Sequence, residues 1–477
     1  MRAVTWYGAD DVRVEQVPEP RVVNPRDAVV RVSSTTICGS DLHMFDGYTP
    51  TMGKGDILGH EVIGEIVQVG EGITDLHPGD RVVAAFAIAC GRCHFCQQGL
   101  FSLCDNSNPN APLAEQAFGH SPAGLLGYTH LTGGYAEGQA EFVRIPYADV
   151  GLLKVPGNLR DEQLLPLADI LPTGYQAAEQ CQIRPGDTVA VWGCGAVGQM
   201  AIKSAYLLGA ERVIAIDRLP ERLAMAREQG GAETIHFQET DVLDALKEMT
   251  AGRGPDACIE AVGMESTGRT LDALMDRARQ AIRMETGRPH ALRQAIMACR
   301  KGGTISIPGV FVGMVDMVPM GAAFNKGLTF RMGQTNVQKY WHGLLERIVN
   351  GEIDPSYVFT HTVALDQAPD AYRMFRDKRE GVVKIVLKPR ITALGSEQRQ
   401  PRELEMANTR SMPSQAEGDR ATVEESLRQR GLSAEGAQTR TEAMPAEGTP
   451  PYPDLPSQAE GERSTIDENL LERGAGI

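Results

Sequence analysis

Residues 184–218 read RPGDTVAVWGCGAVGQMAIKSAYLLGAERVIAIDR, and this stretch decides the fold of the second half of the chain. An apolar run, a glycine turn, a helical pattern and a second apolar run ending in Asp217 predict one βαβ unit of about thirty residues. The turn contains Gly193, Gly195 and Gly198 in the pattern G-x-G-x-x-G. The first glycine permits a tight turn, the second lets the backbone approach a pyrophosphate, and the third lets the helix pack closely on its strand. The stretch therefore predicts a dinucleotide-binding domain with a doubly wound parallel sheet.

The cofactor predicted from this unit is NAD. Ala196 and Val197 open the predicted helix, whose unpaired N–H groups would face the phosphates. Asp217 would accept hydrogen bonds from the adenosine ribose hydroxyls and repel a 2′-phosphate, which favours NAD over NADP. The adjacent cation, Arg218, keeps NADP open as the alternative. Further cofactor contacts are predicted at Thr173 and Val262.

A second strong motif lies in the first half of the chain, where four of the nine cysteines are spaced C-x2-C-x2-C-x7-C. These cysteines are Cys90, Cys93, Cys96 and Cys104. Four thiolates at this spacing can close a tetrahedral zinc site with no open position, which is typical of a structural metal. An iron–sulfur cluster is the alternative, since related spacings serve such clusters. A disulfide framework is disfavoured, because the cysteines are concentrated in one short segment.

A different set of metal-ligand residues surrounds the stretch GHEVIGEIVQVG at residues 59–70. It supplies His60 and Glu61, while Cys38 lies upstream and Asp169 lies downstream in LLPLADILPTGY. A cysteine, a histidine and an aspartate can hold one zinc ion and leave the fourth tetrahedral position open for substrate. For His60 and Glu61 taken alone, a surface turn beside a strand is the alternative interpretation.

Taken in order, ICGSDLH at 37–43, GHEVIGEIVQVG, the four-cysteine segment and GCGAVG at 193–198 resemble the zinc-dependent medium-chain alcohol dehydrogenases. The resemblance covers roughly residues 1–389. The surroundings of Asp169 and the segment GGYAEGQAEFV at 133–143 are most similar to the formaldehyde dehydrogenase branch that works without glutathione. The resemblance implies an α/β protein with a GroES-like, mostly-β catalytic domain, a Rossmann domain, two zinc ions per chain, and a homodimer or homotetramer.

The resemblance also implies roles for single residues. Cys38 would be a ligand of the catalytic zinc, and Ser40 would place its hydroxyl beside the substrate oxygen. His43 would be the outer end of a proton path, and Glu61 would orient or tune the metal. Phe86 would pack against the carbon side of the substrate. A helix cap is the alternative for Ser40, and a surface histidine is the alternative for His43.

From these motifs we predict three parts: a catalytic domain at 1–155, completed by about 336–389, an NAD-binding domain at 156–335, and a tail at 390–477. The predicted reaction is hydride transfer between NAD and a small alcohol or aldehyde. The favoured substrate is formaldehyde, in a reaction that does not need glutathione. The segment 105–134 is predicted to be an irregular loop over the substrate, and it contains no lysine or arginine to bind the carboxylates of a glutathione adduct. The enzyme alternatives are a general alcohol or polyol dehydrogenase and a glutathione-dependent formaldehyde dehydrogenase.

Composition excludes other classes of function. A formal net charge of −15 argues against a nucleic-acid surface, and no run of 18 apolar residues could span a membrane. The N-terminus lacks the apolar core of a signal peptide, so we expect a soluble, cytoplasmic protein.

The tail at 390–477 has too few apolar residues for a core, and we predict that it is disordered. Within it, PSQAEGDRATVEESLRQR at 413–430 recurs as PSQAEGERSTIDENLLER at 456–473. Each copy has a capping-box spacing followed by an apolar pair on one helical face, which is typical of a short docking helix. The repeat is therefore a candidate site for a protein partner, and a scaffold acting through this tail is the non-enzyme alternative. An unselected duplication in a solubilising tail is the other interpretation.

Overall fold

The computed structural model describes residues 1–49, 51–136, 138–265, 289–311, 315 and 317–389. Its strands are β1 (Arg2–Gly8), β2 (Asp11–Gln16), β3 (Ala28–Ile37), β4 (Asp56–Ile57), β5 (Val62–Val69), β6 (Arg81–Ala84), β7 (Phe142–Ile145), β8 (Leu152–Lys154), β9 (Thr188–Trp192), β10 (Arg212–Asp217), β11 (Glu233–His236), β12 (Ala257–Glu260), β13 (Thr304–Ile307), β14 (Thr329–Met332), β15 (Phe359–Ala364) and β16 (Lys384–Lys388).

The α-helices of the described residues are α1 (Gly39–Phe45), α2 (His94–Gln97), α3 (Ala111–Phe118), α4 (Ala148–Gly151), α5 (Asp161–Leu164), α6 (Ile170–Gln180), α7 (Ala196–Leu207), α8 (Pro220–Glu228), α9 (Val242–Met249), α10 (His290–Ala298), α11 (Met320–Lys326), α12 (Val337–Val349) and α13 (Ala368–Arg376). None of these helices is both long enough and apolar enough to cross a lipid bilayer.

The sheets of the first half are mostly antiparallel. A three-stranded sheet has the order β2-β1-β4, and a seven-stranded sheet has the order β15-β16-β3-β5-β6-β8 with β7 also paired to β3. Strand β16 runs antiparallel to β3, with Ile385 opposite Ile37. The segment that follows the parallel-sheet region therefore returns to the N-terminal sheet, and it brings residues near 384 beside those near 37.

The other sheet has six parallel strands in the order β11-β10-β9-β12-β13-β14. Its strand order reverses between β9 and β12, and ligands bind at such a switch point in open α/β sheets. Strand β9 is buried on both faces: Val189 and Val191 pack in one core with α6 and α7, and Ala190 and Trp192 pack in another with α9 and α10. The prediction of a doubly wound parallel sheet is therefore confirmed.

The glycine turn between β9 and α7 has the geometry that its sequence predicts. Gly193 has a φ of +88°, which favours glycine over any residue with a side chain. A Cβ on Gly198 would lie 1.8 Å from the carbonyl oxygen of Gly193, so only glycine lets the helix approach this closely.

Three predictions need comment here. The segment 105–134 is not wholly irregular, because it contains α3 and a short 3-10 helix at His130–Thr132. Helix α3 was missed because APLAEQAF offers only a weak apolar periodicity. The helical pattern at 266–300 is longer than one crossover helix, which predicts an insertion in its first part. That part falls largely on residues 266–288, and the predicted tail begins at 390; both lie outside the described residues.

Candidate active site

Cys38 is positioned by the junction of β3 and α1. It is the N-cap residue of α1 and has an extended backbone, with φ of −100° and ψ of 162°. Its backbone N–H donates to Oδ2 of Asp41 at 2.8 Å, so the third residue of the helix closes a capping box around it. The Cys38 side chain is buried.

Cys38, His60, Glu61 and Asp169 form one buried group, which we call the mixed-donor cluster. Their potential ligand atoms all lie within 4.8 Å of one another. His60 Nε2 is 3.4 Å from Asp169 Oδ2, and Cys38 Sγ is 3.8 Å from the same oxygen. The structure thus brings the three predicted zinc ligands together from distant parts of the chain, and it adds Glu61 to the same cluster.

His60 is held by a residue that the sequence analysis missed. Its Nδ1 lies 3.0 Å from Oδ1 of Asp41, a carboxylate that is fully buried. Burial opposes a charge on the imidazole, but the carboxylates of Asp41 and Asp169 overcome that effect and raise the pKa of His60 well above its ordinary value. A carboxylate on Nδ1 leaves Nε2 to face a metal, which is the usual arrangement around metal-bound histidines. The capping-box position of Asp41, three residues after Cys38, was the available signal.

Glu61 is held by a buried lysine that no local sequence pattern indicates. Nζ of Lys384 lies 2.7 Å from Oε2 of Glu61, and both side chains are only 1% exposed. Thr36 also donates its hydroxyl hydrogen to this oxygen. Burial raises the pKa of Glu61 to about 7, although Lys384 acts in the opposite direction. The other oxygen, Oε1, is buried and finds no hydrogen-bond partner among the described residues.

The mixed-donor cluster fits a zinc ion. A thiol, an imidazole and carboxylate oxygens are all established zinc ligands. Two carboxylates and a thiol packed this closely would repel one another when ionised, and the partnerless Oε1 of Glu61 would cost free energy unless a cation or donor satisfied it. Cys38, His60 and Asp169 would hold the ion, with Glu61 close enough to join them.

One side of the cluster carries a hydroxyl and two aromatic rings. Ser40 Oγ is 3.3 Å from His60 Nε2, and it accepts a hydrogen bond from the Tyr128 phenol at 2.8 Å. The centroid of the Tyr128 ring lies 5.0 Å from that of the His60 imidazole. The Phe86 ring meets the same imidazole edge-on, with a centroid distance of 6.1 Å. Burial raises the pKa of Tyr128, so its hydroxyl stays protonated and donates. Tyr128 belongs to the segment 105–134, where no pattern distinguished it.

Two members of the mixed-donor cluster, Cys38 and Asp169, line one cavity of about 440 Å³ together with the glycine turn. His43 lines it too and is buried, so the alternative of a surface histidine is wrong. Phe86 and Ser40 belong to the same wall. The predicted cofactor residues that line the cavity are Gly193, Gly195, Ala196, Val197, Asp217, Arg218, Thr173 and Val262. Gly198 is the exception, since it packs beneath Gly193.

Asp217 lies at the end of β10 beside the glycine turn. Its Oδ2 accepts from the backbone N–H of Cys194 at 2.7 Å, and its Oδ1 accepts from the backbone N–H of Arg218 at 2.6 Å. Oδ1 also accepts from the backbone N–H of Leu219 at 3.1 Å, so the further lone pair that could accept from a ribose hydroxyl lies on Oδ2. The sequence analysis missed Arg222, whose buried guanidinium lies beside Gly195. Within the described part of the chain its Nε has no hydrogen-bond partner. It is a second cation on the nucleotide side of the cavity.

The four cysteines at 90–104, which we call the cysteine cluster, converge in a separate lobe. Their sulfur atoms lie within 4.8 Å of one another, and none of the chain's nine cysteines, all within the described residues, forms a disulfide. Backbone N–H groups of Arg92 and Cys93 donate to Cys90 Sγ at 3.4 and 3.3 Å. Although burial opposes ionisation, these amides and that of Asn106 lower the pKa of Cys90 to about 6. Amides directed at sulfur fit thiolates that hold a metal.

The comparisons with known proteins agree with this arrangement. A family model of the alcohol dehydrogenase GroES-like domain matches residues 24–157, and a model of zinc-binding dehydrogenases matches residues 196–283. An uncharacterized zinc-type alcohol dehydrogenase-like protein, AdhB of Bacillus subtilis, is 39% identical over 392 residues, covering 82% of this chain and 100% of the relative. A glutathione-independent formaldehyde dehydrogenase of Pseudomonas aeruginosa is 34% identical over 400 residues, covering 78% of this chain and 94% of the relative.

Among solved structures, the alcohol dehydrogenase TADH from Thermus sp. ATN1 is 36% identical and has a TM-score of 0.67. The match covers 81% of this chain and 99% of that protein. Together with the GroES-like and parallel-sheet regions and the two metal-ligand clusters, these findings show that the chain belongs to the zinc-dependent medium-chain alcohol dehydrogenase family.

Proposed function

We propose that this protein transfers a hydride between NAD and a small alcohol or aldehyde bound at the mixed-donor cluster. One observation carries the proposal: two of the candidate metal ligands, Cys38 and Asp169, line the same cavity as the dinucleotide turn. A substrate carbon beside the cluster could therefore meet the nicotinamide ring of an NAD molecule whose phosphates contact the turn before α7. The cysteine cluster would hold a second zinc ion with a structural role, because four thiolates leave no open position.

The residues around the cavity suggest how the proton is handled. A zinc ion at the mixed-donor cluster would supply Lewis-acid chemistry that lowers the pKa of an oxygen bound to it. Ser40 Oγ, next to His60 Nε2, would accept the proton from the substrate hydroxyl. The Tyr128 phenol donates to Ser40 and leaves the serine's own hydrogen free to pass onward. His43, on the wall of the same cavity, would be the outer end of that path.

The favoured substrate is a small free aldehyde or its alcohol, formaldehyde included. Phe86 and Tyr128 confine the space beside His60, and the segment 105–134 that carries Tyr128 has no lysine or arginine. Cations from other segments do line the cavity, among them Arg376 and Lys378, so a glutathione adduct is the second candidate. Kinetics with formaldehyde, with and without glutathione, separate the two. A rate that requires glutathione and saturates with the adduct would contradict the favoured substrate.

The reaction itself is tested by NADH formation in zinc-loaded protein offered a panel of alcohols and aldehydes. We expect turnover of at least one small substrate in the wild-type protein. The absence of NADH formation and of NADH consumption across the whole panel would contradict the proposal and favour a scaffold acting through the tail.

The choice of NAD rests on Asp217. Replacing it with alanine removes the charge that would repel a 2′-phosphate and the acceptors for the ribose hydroxyls, so NAD should bind more weakly by about 10- to 100-fold. The preference over NADP should narrow in parallel. Wild-type protein that uses NADP as readily as NAD would contradict this assignment.

We propose that the protein forms a homodimer through the open edge of the parallel sheet. Strand β14 is the last strand of that sheet, and its outer edge is unpaired among the described residues. Around it Phe324, Met332 and Met320 are 84%, 61% and 59% exposed, although such side chains are usually buried. A second copy could continue the sheet and cover these side chains. Light scattering should find a dimer in the wild type and a monomer in Phe324→Asp, with Val349→Asp as the control at another exposed apolar site.

For the tail we propose docking of a partner by the repeated segments at 413–430 and 456–473. Two copies on one tether would raise the local concentration at a bivalent partner. Truncation after Pro389 should leave hydride transfer intact, and a large fall in turnover would show that the tail belongs to the enzyme. A 456–473 peptide should capture the partner, and the same peptide with Ile466→Asp and Leu470→Asp should not.

A further inference from the structure

A buried chain of hydrogen bonds leads from α13 to the mixed-donor cluster, and Gln139 is its central residue. The Gln139 amide is fully buried, and its Nε2 donates to the Thr36 carbonyl at 2.9 Å and to Asp41 Oδ2 at 3.2 Å. Its Oε1 accepts from the phenol of Tyr372, which is also fully buried, at 2.9 Å. All three hydrogen bonds are made inside the protein, where they are not weakened by competing water.

The carboxylate at the end of this chain orients two candidate metal ligands at once. Asp41 Oδ2 accepts from the backbone N–H of Cys38, and Asp41 Oδ1 contacts His60 Nδ1. A rotation of this carboxylate would therefore disturb both Cys38 and His60. The Gln139 side chain donates to the same oxygen, Asp41 Oδ2, and so it restrains the rotation.

Only one orientation of the Gln139 amide satisfies its surroundings. If the amide were reversed, its oxygen would face the Thr36 carbonyl and the Asp41 carboxylate, and both of these groups only accept hydrogen bonds. The Tyr372 hydroxyl donates to the oxygen in the observed orientation and holds it there. Tyr372 thus acts on Asp41 through Gln139.

The space for Gln139 is coupled to the position of His60. Gly59 has a φ of +95°, and a Cβ at this position would lie 2.4 Å from Gln139 Cγ. The backbone N–H of Gln139 donates to the Leu58 carbonyl at 3.0 Å, which fixes it against the same turn. The glycine that admits the Gln139 side chain is therefore the residue immediately before His60.

We propose that Gln139 and Tyr372 are positioning residues that hold Asp41, and through it His60 and Cys38, in the geometry that binds the metal. This inference rests on the proposed metal-binding function of the mixed-donor cluster. Helix α13, which carries Tyr372, also contributes Phe375 and Arg376 to the wall of the cavity. The segment that returns from the parallel-sheet region thereby supports the metal ligands as well as the wall of the cavity.

The test compares Gln139→Leu and Tyr372→Phe with the wild type in the full-length, zinc-loaded protein. Release of the zinc ion of the mixed-donor cluster to a chelator should be about 10- to 100-fold faster in Gln139→Leu, which loses all three hydrogen bonds. It should be about fivefold faster in Tyr372→Phe, which loses one. The control is Tyr357→Phe. It also removes a phenol hydrogen bond, one of 3.2 Å to the Gln199 carbonyl, but neither residue belongs to a metal-ligand cluster.

A second readout is the visible spectrum after Co²⁺ replaces the zinc ion of the mixed-donor cluster. A displaced imidazole or thiolate should shift the Co²⁺ absorption in Gln139→Leu, and to a smaller extent in Tyr372→Phe, but not in Tyr357→Phe. If Gln139→Leu does not fold, the comparison of Tyr372→Phe with Tyr357→Phe decides the question.

Unchanged metal release and an unchanged Co²⁺ spectrum in the folded variants would overturn the positioning role, even if their melting temperatures fall. That result leaves the proposed function intact. A wild-type protein that holds metal only at the four cysteines would instead overturn the proposed metal function and this inference together.

Discussion

The two metal-ligand clusters of this protein differ in how the chain builds them. The cysteine cluster takes all its sulfur atoms from residues 90–104, and backbone amides of the same segment donate to them. The mixed-donor cluster takes its ligand atoms from residues as far apart as Cys38 and Asp169. The first site is therefore a local structure, whereas the second exists only when several elements of the fold are assembled.

The clusters also differ in how negative charge is balanced within the protein. Around the cysteine cluster the donors to sulfur are mainly backbone N–H groups, with a side-chain amide from Asn106. Around the mixed-donor cluster the balance comes from a buried ion pair between Glu61 and Lys384. The difference teaches that a closed structural site can be supported by its own loop, while an open catalytic site needs support from distant side chains.

The largest expected effect comes from removing a ligand of the mixed-donor cluster. Asp169→Ala should lower kcat by about 1,000-fold or more, because the Lewis acid is worth several kcal/mol to the reaction. It also removes the acceptor of the Thr173 hydroxyl, whose hydrogen bond to Asp169 Oδ1 is 2.7 Å long. Turnover and zinc content are measured together, and the zinc content should fall from two ions to one. Asp370→Ala is the control, because Asp370 has an exposed carboxylate. An Asp169→Ala variant that retained both zinc ions and full turnover would contradict the proposed difference between the two clusters.

Removing a ligand of the cysteine cluster should act on stability instead. Cys104→Ser should lower the free energy of unfolding by about 4 kcal/mol, because loss of a structural metal belongs to the most destabilising class of changes. The measurement is chemical denaturation combined with metal analysis, and the folded fraction should retain its turnover. Iron in the purified wild-type protein, rather than zinc, would show that the cysteine cluster has been assigned the wrong metal.

Glu260 is a second buried carboxyl, and among the described residues it forms no ion pair. Burial raises the pKa of Glu260 to about 7, and no hydrogen bond to its Oε2 comes from the residues that the structure describes. Between pH 4.5 and 7 the unfolded chain releases the Glu260 proton while the folded protein keeps it. The contribution of Glu260 to the free energy of unfolding therefore falls as the pH rises through this range, and it stays low above pH 7.

Glu260→Gln should remove this loss, which is on the order of 3 kcal/mol across the window. The glutamine oxygen can still accept from the backbone N–H groups of Val262 and Gly263. Urea unfolding at several pH values measures the change, with Glu228→Gln as a control at an exposed carboxylate. Equal pH slopes in the wild type and Glu260→Gln would show that Glu260 titrates at its ordinary pKa in the folded protein.

The smallest expected effect concerns the lability of the two metal ions. With Cys38, His60 and Asp169 as its ligands, a zinc ion in the mixed-donor cluster would have an oxygen ligand and an open position, so it should pass to a chelator at least about tenfold faster than the zinc ion of the cysteine cluster. Brief chelation followed by metal counting should find one zinc ion per chain and no turnover, and added zinc should restore activity. Loss of both ions at one rate would erase the distinction between the clusters.

The contrast between the clusters also explains which residues could be predicted from the sequence. The cysteine spacing and the G-x-G-x-x-G turn are local patterns, and Cys38, His60 and Asp169 were identified through resemblance to a family. Tyr128 and Lys384 were missed, because each reaches the cluster from a distant segment and neither stands in a recognisable motif. Asp41 was within reach, since it occupies the capping-box position after Cys38.

By itself the sequence determined the elements whose geometry is set by nearby residues: the βαβ unit, the tight glycine turn and the cysteine cluster. Only the tertiary structure decided which polar groups are buried together, including Glu61 with Lys384 and Gln139 with Tyr372. The physical reason is that a buried charge or amide must find its partner wherever the fold provides one. Here the partner comes from strand β16 and helix α13, which the chain reaches only after completing the parallel sheet.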